Sequence, residues 1–190
     1  MGDPAQSSWP TPDEAADARA EALHGKDEHR FRLSTNYRNS AEIFDFAAGV
    51  ALLASADPDL PHAVRRTGIE PDHRTLDDLA AAVRDATKEL LDAVAGSIAV
   101  VAPVARHDDV AAWLNGVDPR VRVLDALDTK GLEFDAVVIV EPGDIAGESE
   151  TGWRTLYVVL TRATQRLITL ATDDTWLRHV RDRARPAAQR

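Results

Sequence analysis

The chain alternates short apolar runs with longer segments whose apolar residues recur at helical spacing. The short runs are rich in β-branched and aliphatic side chains, which is typical of strands in a parallel sheet that is covered on both faces. They predict strands at residues 98–102, 121–127, 136–140 and 167–171, with a shorter strand at 31–35. Strands that alternate with helices predict an α/β fold with a mainly parallel sheet of about five strands.

The helices are predicted from apolar spacing and from capping residues. The longest begins at Thr75 and ends at Gly96, and its apolar face consists of Leu76, Leu79, Val83, Leu90, Leu91 and Val94. Capping patterns begin two more helices, one after Thr11 that ends at Gly25 and one at residues 39–42. Further helices are predicted at 108–114, 153–164 and 173–180. Irregular structure is predicted at 55–74, with short strand character near 63–66, and a flexible surface loop at 141–152.

Composition excludes several classes of protein. The 190 residues include no cysteine, which excludes disulfide frameworks and thiolate metal sites. No apolar run approaches the roughly 18 residues that cross a bilayer, and the first residues lack the basic and apolar stretches of a secretory signal. We therefore expect a cytoplasmic protein with no membrane partner. The net charge of −10 argues against nucleic-acid binding driven by charge alone, although residues 181–190 hold four arginines and one aspartate.

One polar stretch, residues 128–135, lies between two of the predicted strands. Gly131 would let the backbone approach a ligand, and Lys130 offers a compact positive charge. Glu133 can accept hydrogen bonds from a sugar hydroxyl. Because ligands of open α/β sheets collect outside the carboxyl ends of the strands, the stretch predicts a ligand site at that edge. The alternative is a solvated loop with an ordinary lysine.

Two arginines stand in comparable places. Arg38 and Arg162 lie, like Lys130, just past a predicted strand or near the end of a predicted helix. In a parallel sheet these three would converge on one edge and form a site for a polyphosphate, because a guanidinium binds phosphate through its planar fork and lysine as a point charge. Three unrelated surface cations are the alternative.

The predicted helix at 153–164 has an apolar stripe made of Trp153, Leu156, Val159 and Leu160. Arg162 lies away from the centre of this stripe, so we expect its side chain to project into a cleft. Arg162→Ala would then change stability within about 1 kcal/mol, as a surface substitution does. In the alternative, Arg162 pairs with Asp173 or Asp174 and holds the last helix in place.

Four stretches resemble, in order, motifs in the second RecA-like domain of UvrD-like superfamily 1 helicases. GDPAQS at residues 2–7 resembles motif III, and NYRN at 36–39 resembles motif IV. KGLEF at 130–134 resembles motif V, and YVVLTRA at 157–163 resembles motif VI. The resemblance implies a RecA-like, P-loop NTPase-type three-layer sandwich over residues 30–182. A motif III segment and linker helix would occupy residues 1–29, and a basic flexible tail residues 183–190.

The resemblance also implies a substrate and residue roles. ATP would bind between this domain and the N-terminal RecA-like domain of the same parent chain, which would supply the ligands of Mg²⁺. Gln6 would sense the γ-phosphate, and Arg38 and Arg162 would be arginine fingers. Lys130 and Gly131 would lie near that phosphate.

The remaining implied contacts involve the sugar and the bases. Glu133 would bind the ribose, and Tyr37 would contact the nucleotide or else pack in the core or at a hinge. Trp9 would stack on a base of a nucleic acid or else pack under the linker. Asn36 would make a weaker contact with nucleic acid.

The sequence lacks the other half of such an ATP site. No Gly-x-x-x-x-Gly-Lys-[Ser/Thr] stretch is present to cradle phosphates, and no predicted strand ends in the paired acids of a Walker B motif. We therefore expect a fragment of a larger motor that begins just before motif III and is inactive when isolated.

Motif V departs from the family pattern on the side that faces DNA. The family pattern begins Thr-x-His, whereas this chain has Asp125 and Leu127 at those positions. A carboxylate repels phosphate, and leucine donates no hydrogen bond. Residues 33–38 and 129–135 also resemble HelD-type ATPases, which implies a parent that remodels or recycles bacterial RNA polymerase. The alternatives are a DNA helicase or translocase in repair, and a protein-docking module without a catalytic role.

Overall fold

The computed structural model describes residues 35–55 and 58–184, which contain two parallel sheets. The smaller sheet pairs β1 (Thr35–Ser40) with β2 (His62–Arg65). The larger sheet consists of β3 (Asp72–Thr75), β4 (Ile98–Ala102), β5 (Val121–Asp125), β6 (Phe134–Val140) and β7 (Ala163–Ala171). Its order is β3-β7-β6-β4-β5, and every pair of neighbouring strands is parallel. The predicted α/β fold with a parallel sheet of five strands is confirmed.

Helices cover both faces of the larger sheet. One face packs against α1 (Ala41–Ala54), α4 (Pro142–Gly147), α5 (Gly152–Leu160) and α6 (Thr175–Ala184). The other face packs against α2 (Leu79–Ala93) and α3 (His107–Trp113), which follows a 3₁₀ turn at Val104–Arg106. This is the predicted three-layer RecA-like sandwich. None of the helices in the described ranges is long and apolar enough to cross a membrane.

The central strands are almost uniformly apolar because helices cover them from both sides. All five side chains of β4 are buried, and so are those of β6 except Asp135. Alternate residues point to opposite faces, so Val100 and Val138 join one core while Val101 and Ile139 join the other. Removal of this apolar surface from water, at about 25 cal/mol per Å², is the main force that holds the three layers together.

The long helix α2 begins later than the sequence predicts. Thr75 belongs to β3, and the pairing of β3 with β7 continues in a 3.0 Å hydrogen bond from the Leu76 amide to the Ala171 carbonyl. Asp78 is the N-cap, and its carboxylate accepts from the Ala81 amide at 2.9 Å. The prediction of irregular structure before this helix was wrong for β3, a polar edge strand whose conformation is set by pairing rather than by apolar pattern.

The segment after β6 forms α4 and the start of α5, so the predicted flexible loop at 141–152 was wrong. Glu141 is 5% exposed, and its carboxylate accepts hydrogen bonds from the Thr172 amide at 3.1 and 3.3 Å. The backbone of Glu141 is left-handed, with φ of 46°, and Pro142 then begins α4. The acidic composition suggested a solvent-exposed loop, but the Glu141 carboxylate is buried and accepts hydrogen bonds from a backbone amide.

The connection from β5 to β6 passes over β4 without a helix. Residues 126–133 return through successive turns from the carboxyl end of β5 to the amino end of β6. The Asp125 carboxylate accepts from the amides of Leu127 and Asp128, both at 2.9 Å. Thr129 is fully buried, and its hydroxyl donates to the Ala126 carbonyl at 2.7 Å. These bonds end β5 at Asp125, two residues before the predicted end.

Acidification is expected to destabilise the domain through His73 on β3. Burial, together with the positive charge of Arg181, lowers the pKa of His73 to about 4. Its ring stacks 4.3 Å from that of Phe46, and its Nδ1 lies 2.8 Å from the Thr169 hydroxyl. The unfolded chain takes up the proton first, near pH 6.5, so stability is complete above that pH and falls as the pH drops toward 4. We expect a loss on the order of 2 kcal/mol by about pH 5.

Urea denaturation between about pH 5 and pH 7.5 measures this slope. The range lies above the titration of Glu42, whose pKa is lowered to about 2 by hydrogen bonds from its own amide and that of Gly68. His73→Gln should flatten the slope, whereas His62→Gln, at an exposed position on β2, should leave it unchanged. An unaltered slope in His73→Gln would assign the acid sensitivity to another group.

Candidate functional site

Three stretches that are far apart in the sequence meet beside the amino ends of β6 and β7: residues 36–39, 130–134 and 157–163. Asn39 joins the first stretch to the third. It is 2% exposed, and its side-chain nitrogen donates to the carbonyls of Thr161 at 2.9 Å and Ala163 at 2.6 Å. A buried amide deprived of such partners costs about 1–3 kcal/mol, so these two bonds fix β1 against the turn before β7.

Arg162 joins the third stretch to the second. Its Nε donates to the Val158 carbonyl at 2.9 Å, and its Nη1 donates to the Leu132 carbonyl at 3.1 Å. Its Nη2 donates to the Thr161 hydroxyl at 3.3 Å. The Arg162 carbonyl accepts from the Phe134 amide at 2.9 Å. The guanidinium thus holds the turn before β7 against the end of the connection between β5 and β6.

The predicted position of Arg162 was wrong. Helix α5 ends at Leu160, so Arg162 lies in the turn before β7 and not within a helix at 153–164. Strand β7 begins at Ala163, four residues earlier than predicted. Arg162 is 2% exposed and is among the largest fully buried side chains in the described ranges. Its side chain therefore does not project into a cleft, and Arg162→Ala is not a surface substitution.

Arg38 and Glu133 form the exposed part of the cluster. The Arg38 Nε lies 3.0 Å from the Glu133 Oε2, and the two side chains are 48% and 62% exposed. An ion pair of this exposure contributes about 0–1 kcal/mol, so either group can exchange its partner for a ligand at little cost. The sequence predicted both residues for one site, and the structure brings them together.

Hydrogen bonds brace the backbone around Arg38. The Asn36 carboxamide oxygen accepts from the Arg38 amide at 2.9 Å, and its nitrogen donates to the Asn39 carboxamide at 2.9 Å. From β2, the Arg65 guanidinium donates to the carbonyl of Arg38 at 2.9 Å and to that of Thr164. Asn36, predicted to contact nucleic acid, here binds within its own stretch.

The remaining predicted residues of the cluster lie at the surface. Lys130 and Gly131 are exposed, and Gly131 has φ of 79°, a left-handed conformation that favours glycine. Tyr37 is 75% exposed, so the alternative that placed it in the core was wrong. Gln6 and Trp9, together with the stretch that resembles motif III, lie outside the described residues.

The predicted edge of the sheet was also wrong. The sequence placed the site outside the carboxyl ends of the strands, as is usual for open α/β sheets. Glu133 and Arg162 directly precede β6 and β7, so the cluster lies at the amino ends. The cause is the connection 126–133, which carries the chain from the carboxyl end of β5 back to the opposite edge.

Comparisons with known proteins give a likeness of structure only. No family model matches the chain, and no curated protein matches it. Among 45 matching chains of solved structures is the C-terminal domain of a possible DNA helicase from Lactobacillus plantarum WCFS1. The identity is 22% and the TM-score 0.53, over 72% of this chain and 87% of that chain. The two domains share a fold.

The parallel-sheet fold places these stretches together, but the sequence did not predict the side chains that hold them. The sequence predicts Asn39 only as a helix-start residue and as part of the NYRN stretch, whereas its side chain donates to two backbone carbonyls. Arg65 gave no signal, because it lies in a short polar strand whose role depends on tertiary contacts. The useful signal for Asn39 was its place beside Arg38 in a stretch that resembles a motif.

Proposed function

We propose that this chain is the C-terminal RecA-like domain of a helicase-like superfamily 1 ATPase and contributes to an ATP site between two domains. The observation that carries the proposal is the cluster itself. Stretches that resemble motifs IV, V and VI are tied together by Asn39 and Arg162, although about a hundred residues separate the first from the others. The fold shared with a helicase C-terminal domain supports the same assignment.

In this proposal Arg38 is the arginine finger. Its guanidinium is half-exposed and forms an ion pair with the exposed carboxylate of Glu133. On ATP binding, Arg38 would exchange Glu133 for the γ-phosphate and neutralise charge that develops during transfer to water. Glu133 would then accept hydrogen bonds from the ribose, with exposed Lys130 near the phosphates. The N-terminal RecA-like domain of the parent would supply the phosphate cradle and the Mg²⁺ ligands.

We assign Arg162 a positioning role in the same site. Its buried guanidinium binds the carbonyl of Leu132, the residue before Glu133. The bond therefore fixes the position of the backbone that carries Glu133, and it thereby keeps the Glu133 carboxylate within reach of Arg38. The arginine-finger role that the resemblance implies would require Arg162 to give up hydrogen bonds to two backbone carbonyls, which is costly for a buried group.

For the parent we propose remodelling or recycling of bacterial RNA polymerase, as in HelD-type ATPases, rather than DNA unwinding. Leu127 is 69% exposed, and the Asp125 carboxylate accepts a hydrogen bond from the amide of Leu127. These are the positions that face DNA in the family, and neither attracts phosphate. Action on DNA remains the second candidate, because the structurally similar domain comes from a possible DNA helicase. Salt-sensitive binding of single-stranded DNA, measured by fluorescence anisotropy, would favour that candidate.

Arg38→Ala in the full-length protein that carries this domain is expected to lower kcat for ATP hydrolysis by about a hundredfold, or about 2.7 kcal/mol of transition-state stabilisation. Nucleotide affinity should fall much less, because an arginine finger acts mainly on the transition state. Steady-state turnover and equilibrium titration with ATP on the same preparation separate the two effects. Arg38→Lys should recover only part of the activity, since lysine lacks the planar fork.

Arg84→Ala is the matched control, because Arg84 is an exposed arginine on α2, on the opposite face of the sheet. It should retain full turnover. The isolated chain should not hydrolyse ATP and should bind it with millimolar affinity at best, about 4 kcal/mol. Turnover of Arg38→Ala within about twofold of the original would exclude Arg38 as the finger and remove the main support for the proposal.

A further inference from the structure

The opposite edge of the sheet has a surface pocket of about 340 Å³. It lies at the carboxyl ends of β6 and β7, where Glu141 follows β6 and Asp173 follows β7. The carboxyl edge of a parallel sheet is the usual place for a ligand in open α/β folds. The nucleotide cluster proposed above does not use this edge, so the pocket is free for another function.

Aromatic residues are one group in the lining of the pocket, namely Trp153, Trp176 and His179. The rings of Trp153 and His179 meet edge to face with centroids 6.4 Å apart. Trp176 is 5% exposed, and its ring also packs edge to face against the rings of Phe46 and His73, which fix its position. Indole faces bind cations such as guanidinium and ammonium groups.

Carboxylates are the second group in the lining. Glu141, Asp144 and Asp173 line the pocket, and no lysine or arginine of the described ranges does, although the Arg106 guanidinium lies 3.7 Å from the Asp144 carboxylate. Glu141 and Asp173 each accept backbone amide hydrogen bonds, from Thr172 and Thr175. A carboxylate has about four acceptor positions, so each retains capacity for a ligand. Residues 141–150 hold four acidic side chains in all, Glu141 and Asp144 among them, and no basic one.

Two exposed apolar side chains lie on the same edge of the sheet as the pocket. Val104 and Leu127 are 63% and 69% exposed and follow the neighbouring strands β4 and β5. Both are held in fixed turns. The Val104 amide donates to the Glu148 carboxylate at 2.7 Å, and the Leu127 amide to Asp125 at 2.9 Å. The segment that carries Val104 reaches the pocket through Arg106, whose Nε lies 3.7 Å from the Asp144 carboxylate.

We infer that this edge is a docking surface for a basic segment of a partner protein. An arginine or lysine side chain of the partner occupies the pocket, where it contacts Trp153 and the carboxylates of Asp144 and Asp173. Apolar side chains next to it in the partner cover Val104 and Leu127. Charge complementarity favours this occupant, because the same carboxylates repel the phosphates of a nucleic acid and the whole chain carries a net charge of −10.

The test uses the ¹⁵N-labelled chain and a blocked peptide that alternates leucine and arginine. NMR signals of the indole N–H groups report on the four tryptophans separately. The peptide should shift the signals of Trp153 and Trp176 saturably at submillimolar concentrations and leave that of Trp113, on α3, unchanged. Asp144→Asn should weaken binding by about fivefold and Leu127→Ser by about threefold, while Asp85→Asn, at an exposed position on α2, should have no effect.

Each contrary outcome excludes the inferred partner. The inference is overturned by the absence of a shift up to millimolar peptide, or by equal binding of a peptide with glutamate in place of arginine. It is also overturned if Asp144→Asn and Leu127→Ser bind as the original chain does. Stronger shifts with a thymidine oligonucleotide would make the edge a nucleic-acid surface. Shifts that depend on the concentration of the chain alone, with a dimer in sedimentation, would make it a contact between copies.

Discussion

Arg162→Ala is expected to lower the free energy of unfolding by about 4 kcal/mol, a loss found only for substitutions that disrupt a core. The side chain is 2% exposed and donates to the carbonyls of Val158 and Leu132. Alanine would remove the donor to the Leu132 carbonyl and one of two donors to the Val158 carbonyl, which also accepts from the Thr161 hydroxyl at 2.8 Å, and it would leave a cavity where the arginine lies. Urea denaturation of the isolated chain measures the loss as a lower midpoint at an unchanged slope.

Two further variants define the cause. Arg84→Ala removes an exposed arginine from α2 and should change stability by less than about 0.5 kcal/mol. Arg162→Lys keeps the charge but not the fork that reaches two carbonyls, so an intermediate loss of about 2 kcal/mol is expected. If Arg162→Ala were as stable as the original chain, the guanidinium would not make these buried bonds. The surface position that the sequence predicts for Arg162 would then be correct.

Much of the fold could be predicted because local sequence and tertiary environment agree. Strand β4 has the predicted bounds, since five apolar residues between turns are needed only where helices cover both faces of a sheet. Helix α1 begins where the capping residues indicate, with the Ser40 hydroxyl accepting from the Ile43 amide. Two elements were missed. Strand β3 is short and polar, and α4 is short and contains a proline and two glycines. The conformations of both depend on partners distant in sequence.

The sequence predicted which residues belong to the candidate site, but it did not predict where in the fold the site lies. The stretches around Arg38, Lys130 and Arg162 were identified from their places beside the ends of predicted strands and helices and from their resemblance to helicase motifs. Which edge they occupy depends on how the chain returns from β5 to β6. The sequence predicted a loop between these two strands, but no local pattern in residues 126–133 shows that the loop crosses to the opposite edge of the sheet. The burial of Arg162 could not be predicted either. Its partners are backbone carbonyls, and the spacing of apolar side chains along a helix gives no information about backbone partners.

Gly152→Ala is expected to destabilise the chain by about 3 kcal/mol, because the first residue of α5 lies directly against the backbone at the end of α4. A β-carbon at residue 152 would lie 2.0 Å from the carbonyl oxygen of Ala146 and 2.5 Å from its carbonyl carbon. Backbone cannot move aside as a flexible side chain can, so α4 and α5 must separate. Thermal and urea denaturation of the isolated chain measure the loss.

Gly147→Ala is the matched control, because a β-carbon there has no atom within 4 Å. Gly147 is the last residue of α4, and alanine should be neutral or stabilise the helix by up to about 1 kcal/mol. Since α5 leads into Thr161, whose carbonyl binds Asn39, the shift caused by Gly152→Ala should also move the side-chain amide NMR signal of Asn39. Equal stability of the two alanine variants would contradict the close approach of α4 and α5. A loss of stability without a change at Asn39 would instead confine the effect to the contact between the helices.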